Sequence, residues 1–172
     1  MKRERNNSVK IAVQFGLIIF IAFMMLFSAV GVSAQDTVMR RYGLYVGANY
    51  GGRERVTLSY AVTDARTVAG VMQQLGGVMP TDSIILTDPS PALVKNTINE
   101  IKKSIRNDTT QRSEFFFYYS GHSDENGLML GDSIYKYEEL KEAIDSVDAD
   151  VNIAVLDSCS SGAFTRLKGG VR

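Results

Sequence analysis

Two stretches of this sequence decide the fold, and the first is Glu114–His122, which reads EFFFYYSGH. The second, Val151–Cys159, reads VNIAVLDSC and has the same form, an apolar run that ends in polar residues. Runs that are apolar without alternation are typical of parallel strands covered on both faces. The two stretches therefore predict an α/β fold, a three-layer sandwich around a mostly parallel sheet.

The rest of the chain fits this expectation, because short apolar runs alternate with longer amphipathic ones. Two glycines after Leu75 end the first helix, and Ser90 is a suitable N-cap before Pro91 at the start of the second. Gly131-Asp132 joins two short runs into a hairpin. The predicted elements are strands at Tyr42–Val46, Ser83–Leu86, Leu128–Leu130 and Ile134–Tyr135, and helices at Leu58–Leu75, from Pro91 to Ile105, and at Tyr137–Val147.

Length and composition exclude several classes of protein. A chain of 172 residues, 45% of them hydrophobic, is expected to form one domain with a real core. With 1 Cys and 1 His, it has no disulfide framework, no cysteine-rich zinc site and no site built from several imidazoles. Lys+Arg and Asp+Glu both count 19, so the chain lacks the excess of positive charge that would suggest a nucleic-acid partner.

The amino-terminal segment, residues 1–34, differs from the rest. Basic residues precede an uncharged run that ends in Val32-Ser33-Ala34, which is typical of a secretory signal peptide. An uncleaved anchor formed by residues 11–34 is the alternative, because the run is long enough to span a bilayer. We therefore expect an exported protein, periplasmic or secreted, in which residues 35–40 are a linker and residues 41–172 the main domain. A membrane partner is expected only if the segment stays uncleaved.

The only histidine and the only cysteine each follow a predicted central strand. Ligand sites of open α/β sheets form at the carboxyl ends of the strands, so His122 and Cys159 are expected at one edge. A thiol needs a base to be a useful nucleophile near neutral pH, and histidine titrates in that range. The pair therefore suggests a Cys/His dyad; the alternative is a buried small Cys and an unrelated loop His.

Weaker motifs favour structural roles. Gly47–Gly52 is glycine-rich but lacks the Lys-Ser/Thr ending of a phosphate-binding loop, so it predicts a flexible loop. Asp124, Glu125 and Asp132 lack the spacing of a calcium-binding loop and predict a solvated acidic segment. We expect no cofactor and no resident metal, and leave calcium dependence open.

Three stretches together resemble the caspase-like cysteine peptidases, most closely the metacaspases and their bacterial relatives. Phe117–His122 is similar to the family's motif around the catalytic base, and Val155–Gly162 to its motif around the nucleophile. Leu58–Ala65 resembles the first-helix segment, whose acid helps line the specificity pocket. The likeness extends over roughly residues 41–162.

The resemblance implies a role for each matching residue. His122 is then the general base and Cys159 the nucleophile, and the backbone N–H groups of Ser123 and Cys159 form the oxyanion hole. It also implies that Asp64, Ser120 and Asp157 line the pocket for the substrate residue before the scissile bond. Ala61 is then a residue of that pocket, at a sequence position where relatives often have Cys.

The sequence departs from the family pattern at three points. Ser123 replaces the glycine that follows the catalytic histidine, which predicts a strained backbone there. His122 and Cys159 are 37 residues apart, a short interval that predicts a trimmed hairpin between them. The sequence ends 13 residues after Cys159, so we expect the large-subunit portion without the family's carboxyl-terminal strands.

Three functions are compatible with these observations. The leading one is a cysteine endopeptidase that hydrolyses peptide bonds through a thioester on Cys159, after Arg or Lys in a polypeptide substrate. The alternative is an inactive caspase-like binding or scaffold module, favoured by Ser123. The third is a periplasmic flavodoxin-like ligand-binding domain with an incidental cysteine.

Overall fold

The computed structural model describes residues 39–110 and 112–166. These residues form a four-stranded parallel sheet with helices on both faces. The strands of the sheet lie in the order β2-β1-β3-β6, and β4 and β5 form a separate antiparallel hairpin. The strands are β1 (Met39–Ala48), β2 (Val78–Thr87), β3 (Arg112–Gly121), β4 (Gly127–Leu130), β5 (Ser133–Lys136) and β6 (Val151–Asp157). The helices are α1 (Ala61–Gln74), α2 (Pro91–Arg106), α3 (Tyr137–Asp145) and α4 (Gly162–Arg166).

The two faces of the sheet have separate cores, because side chains of a strand point alternately to opposite sides. On one face Tyr45 and Tyr118 pack against Ala65 and Ala69 of α1. On the other, α2 and α3 cover the larger core, which includes Leu44, Val46, Phe115, Phe117, Tyr119, Ile98 and Leu140. The predicted three-layer α/β sandwich is confirmed, and the aromatic run of β3 is core on both faces.

Helix α1 begins at Ala61, three residues later than the periodicity predicts. Two contacts with Asn49 explain the difference: its carbonyl accepts from Leu58 N–H at 2.8 Å, and its side-chain Oδ1 accepts from Val62 N–H at 3.1 Å. The first contact holds Leu58 in the preceding loop. The second satisfies a backbone donor of the first helical turn, as an N-cap side chain would.

Strand β2 extends beyond the predicted Ser83–Leu86 in both directions. The extension includes Pro80, which lacks an N–H and is tolerated because β2 lies at the edge of the sheet. Helix α2 begins as predicted, with Ser90 Oγ accepting from Leu93 N–H at 3.3 Å. The hairpin β4–β5 is also confirmed, with a two-residue turn at Gly131-Asp132 and Gly131 at φ 64°.

Strand β6 differs from the sequence expectation of a strand covered on both faces. Within residues 39–110 and 112–166 it pairs with β3 alone. Val151, Ile153 and Val155 are 38%, 36% and 39% exposed, because α1 packs over β1, β2 and β3 and leaves this side of β6 uncovered. Ala154 and Leu156, on the opposite side, pack against the larger core.

The predicted signal peptide or anchor, residues 1–34, lies outside the described residues, as do residues 35–38 of the predicted linker. Met39 and Arg40, the last two residues of that linker, belong to β1 instead. In the part of the chain that the structure describes, no helix has the length and apolar character needed to cross a bilayer.

Candidate active site

His122 and Cys159 follow adjacent strands at the same edge of the sheet. In the parallel pair β3–β6, Ser120 lies opposite Asp157, and each reactive residue comes two positions later. Neighbouring strands are about 4.8 Å apart, so the topology brings the two loops side by side. This confirms the expected placement of both residues at the carboxyl ends of two parallel strands.

The imidazole of His122 is held by a backbone carbonyl on the loop after β1. Its Nε2 lies 2.7 Å from the carbonyl oxygen of Val56, so Nε2 carries the proton and donates to that oxygen. In the neutral ring Nδ1 is then the acceptor. Gly51 packs directly on the ring, because an added Cβ would lie 2.5 Å from His122 Cδ2. The ring is therefore fixed in its orientation, and Nδ1 remains available to accept a proton.

The backbone of His122 is held as firmly as its ring. Its carbonyl accepts from Met129 N–H at 2.9 Å and from the Tyr119 hydroxyl at 2.6 Å. The same hydroxyl lies 3.2 Å from the carbonyl of Met129, and Tyr119 is fully buried. Burial, first of all, raises the pKa of this phenol, so it remains a donor at all ordinary pH values.

Cys159 is a free, exposed thiol on the loop that follows β6. The next residue, Ser160, has φ 59°, in the left-handed region that non-glycine residues seldom occupy. Ser123 is buried, and its hydroxyl donates to Ser158 Oγ at 2.9 Å and contacts the carbonyl oxygen of Cys159. The loops are thus joined through Ser123; among the described residues there is no hydrogen bond between the imidazole and the thiol.

The serine at position 123 does not strain the backbone, contrary to the sequence expectation. Among the described non-glycine residues, only Asp88 and Ser160 have positive φ. Ser123 faces Leu128 in an antiparallel bridge whose hydrogen bonds run from Met129 N–H to the His122 carbonyl and from Asp124 N–H to the Gly127 carbonyl. The bridge therefore leaves the Ser123 N–H outside its own hydrogen bonds.

The residues predicted to line a specificity pocket lie together on the α1 face. Ser120 Oγ is 3.5 Å from Asp64 Oδ2, and the Tyr118 hydroxyl donates to Asp157 Oδ2 at 3.2 Å. Ala61, the first residue of α1, is buried beside them, and its carbonyl is close to Gly47 at the end of β1.

The electrostatics of this group are negative. Asp64 is half-buried and Asp157 is exposed, and neither carboxylate forms an ion pair among the residues described. Burial, and then the charge of Asp157, raises the pKa of Tyr118 to about 12. The charges of both carboxylates act on the Tyr118 phenol, and no cation of the described chain pairs with either of them.

The acidic residues near the hairpin bind neighbouring loop groups. Asp124 Oδ1 accepts from the N–H groups of Asn126 and Gly127, and Asp132 Oδ1 accepts from Arg53 N–H. No group of three or more His, Cys, Asp or Glu side chains that could hold a metal ion occurs in residues 39–110 and 112–166. The predicted flexible loop at Gly47–Gly52 is packed instead, since Gly51 and Gly52 are buried.

Sequence reasoning missed the two groups that hold His122. Val56 contributes a carbonyl, which every residue has, so its identity carries no signal. The apolar run of β3 predicts that Tyr119 is buried, which is right for its ring, while its hydroxyl binds the His122 carbonyl on the loop. Two tyrosines follow three phenylalanines in this run, and this is the available signal, because a buried phenol needs a hydrogen-bond partner.

Comparison with known proteins places the chain in a family. Residues 41–172 match the family model described as metacaspase, peptidase C14 domain. The chain is 28% identical over 152 residues to metacaspase-1 of Candida glabrata, and the match covers 74% of this chain and 38% of that protein.

Two further fungal relatives are similar. Metacaspase-1 of Sclerotinia sclerotiorum is 27% identical over 146 residues, covering 72% of this chain and 34% of the relative. Metacaspase-1 of Botryotinia fuckeliana is 25% identical over 146 residues, covering 72% and 35%. The chain thus spans little more than a third of the length of these relatives. Since the family model matches most of the chain, this protein belongs to the metacaspase family.

Proposed function

We propose that this protein is a cysteine endopeptidase in which His122 and Cys159 form the catalytic dyad and that it cleaves after Arg or Lys. The observation that carries the proposal is the bond from His122 Nε2–H to the Val56 carbonyl, at the sheet edge shared with Cys159. It leaves Nδ1 as the nitrogen that takes the thiol proton.

The chemistry follows from these groups. The thiolate of Cys159 attacks the scissile carbonyl carbon after His122 Nδ1 takes the thiol proton. The negative oxygen of the tetrahedral intermediate is stabilised by the N–H groups of Ser123 and Cys159. The C–N bond then breaks, the imidazolium protonates the leaving amine, and a thioester remains on Cys159. Water hydrolyses this thioester with His122 as base and restores the thiol; the sequence of steps uses no cofactor.

The carboxylates on the α1 face account for the proposed preference. Asp64 and Asp157 offer acceptor oxygens without a competing cation among the described residues, and Ser120 adds a hydroxyl. A basic substrate side chain balances these charges, whereas an acidic one is repelled. Arg fits better than Lys, because its planar guanidinium can bridge two carboxylates.

A second candidate, an inactive binding or scaffold module, is favoured by one observation. The Ser123 hydroxyl contacts the Cys159 carbonyl, where a glycine would leave open space. If that side chain blocked the oxyanion site, peptides would bind without being cleaved.

Labelling with peptidyl electrophiles separates the two candidates. The protein expressed from its complete reading frame is treated with a peptidyl acyloxymethyl ketone ending in Arg, and with the matched reagent ending in Asp. If Cys159 is the only thiol of that product, its labelling is read directly from the intact mass. We expect stoichiometric labelling by the Arg reagent and about 100-fold slower labelling in His122→Ala, the usual contribution of a general base. Equal labelling by both reagents, or indifference to His122→Ala, would refute the proposal.

We also propose that the protein acts outside the cytoplasm, on the basis of residues 1–34. Cell fractionation and amino-terminal sequencing of the mature protein test this. A mature chain that begins near Gln35 supports export with cleavage, and intact protein in the cytosol contradicts it.

A further inference from the structure

The loop 49–58, between β1 and α1, presents the Val56 carbonyl to His122, yet the Val56 side chain does not anchor it. Val56 as a whole is 83% exposed, so packing of its side chain contributes little to the position of the carbonyl. What fixes the loop must therefore be contacts elsewhere along it.

Two of those contacts lie away from the hairpin: Leu58 N–H donates to the Asn49 carbonyl, and Tyr50 N–H donates to Asp88 Oδ1 at 3.0 Å. The others join the loop to the turn of the hairpin β4–β5. Asp132 Oδ1 accepts from Arg53 N–H at 3.2 Å and from the Tyr50 hydroxyl at 3.3 Å. The neighbouring Gly131 N–H donates to the Tyr50 carbonyl at 3.1 Å. Arg53 Nε also lies 3.8 Å from Asp132 Oδ2. One carboxylate thus binds the loop at two places on the amino-terminal side of Val56.

The close packing of glycines between His122 and the hairpin turn supports the same view. Gly51 touches the imidazole, and a Cβ on Gly52 would lie 3.2 Å from the Gly131 carbonyl oxygen. The loop therefore packs between the imidazole ring of His122 and the hairpin turn. A shift of the turn moves the loop, and with it the carbonyl that orients the ring.

We propose that Asp132 is a positioning residue for His122. It fixes the loop 49–58, so that the Val56 carbonyl accepts the hydrogen bond from Nε2–H and Nδ1 stays oriented to take the thiol proton. The inference rests on the proposed role of His122 as the base. The effective atom is Oδ1, since it accepts both hydrogen bonds; the negative charge is secondary on this exposed turn.

The test uses the protein from its complete reading frame and compares Asp132→Ala, which removes Oδ1, with Asp132→Asn, which keeps an acceptor oxygen there. Asp145→Asn is the matched control, because it makes the same charge change on α3, where Asp145 binds Lys141. Where the expressed protein contains a single histidine, the imidazole N–H proton gives one assignable NMR signal. Its exchange with water is measured together with kcat and KM on an Arg substrate.

We expect Asp132→Ala to speed imidazole proton exchange and to lower kcat, each about tenfold, with little change in KM, because misplaced catalytic groups cost rate rather than binding. Asp132→Asn and Asp145→Asn should stay close to the unsubstituted protein. Equal losses in Asp132→Ala and Asp132→Asn, or native exchange and kcat in a folded Asp132→Ala, would overturn the inference.

Tyr50→Phe keeps the test decisive if Asp132→Ala fails to fold, because it removes one donor to Oδ1 and leaves the hairpin intact. We expect a smaller change in the same direction, and native proton exchange would contradict the inference. A protected imidazole proton in a protein whose thiol proves unreactive would refute the proposed function and leave the positioning role of Asp132 standing.

Discussion

Replacing Asp157 or Asp64 by Asn tests the proposed preference for basic substrates. Each change removes one charge and keeps the size of the side chain. Asp64 is half-buried and Asp157 exposed, so the charge of Asp64 is less screened by water and its loss is expected to cost more.

The magnitude follows from the proposed contacts. A hydrogen bond to a charged group contributes about 1.5–3 kcal/mol when it is partly shielded, which corresponds to roughly a 10- to 150-fold loss of kcat/KM. We place Asp64→Asn at the upper end of that range and Asp157→Asn at the lower end. Alkylation of Cys159 by iodoacetamide should remain nearly unchanged in both, because this reagent does not occupy the pocket.

The assay is hydrolysis of paired fluorogenic peptides that differ only in Arg or citrulline before the scissile bond. Citrulline has the shape of Arg without the charge, so the two enzymes and two substrates form a double-mutant cycle. We expect the substitution to penalise the Arg peptide and to leave the citrulline peptide almost unaffected. Equal losses on both peptides, or efficient hydrolysis after Asp, would show that these carboxylates do not form the pocket; Asp145→Asn serves as the control.

Three further predictions concern the loops and their support. Ser123→Gly is expected to change kcat/KM by less than about tenfold, because one hydroxyl contact is lost and the N–H remains; a much larger rise in activity would support a blocked oxyanion site. Tyr119→Phe is expected to lower the free energy of unfolding in urea by about 1 kcal/mol, since the His122 carbonyl keeps its bond from Met129 N–H, and a cost near zero would contradict the contact. The Thr110 hydroxyl, at 2.7 Å, is the main cause that lowers the pKa of Asp108 to about 2. The folded state therefore binds fewer protons than the unfolded one, and this stability is lost as the pH falls from about 4 towards 2; an NMR titration midpoint near the ordinary value of about 3.9 would refute it.

The fold was predictable because its signals are local. The unalternating runs of β3 and β6, the Ser90-Pro91 helix start and the Gly131-Asp132 turn each identify an element from neighbouring residues alone. The start of α1 was predicted too early, since the side chain that caps it comes from Asn49, twelve residues before the helix, and no periodicity records that contact.

The side chains of the candidate site were predictable from the sequence, but the backbone group that orients His122 was not. His122, Cys159, Asp64, Ser120 and Asp157 were named from residue type and motif, and the sheet brings them to one edge. The Val56 carbonyl could not be found in this way, because backbone groups are common to all residues and only the folded path of a loop selects one of them.

The measurement that tests the central claim most directly is the rate of Cys159 alkylation by iodoacetamide at pH 6.5, in the unsubstituted protein and in His122→Ala. An ordinary thiol, with a pKa of about 8.5, is almost entirely protonated at that pH and reacts slowly. If His122 is the base for Cys159, the unsubstituted protein should react at least about tenfold faster than the variant, as expected for an activated thiol. Equal rates, both those of an ordinary thiol, would contradict the dyad.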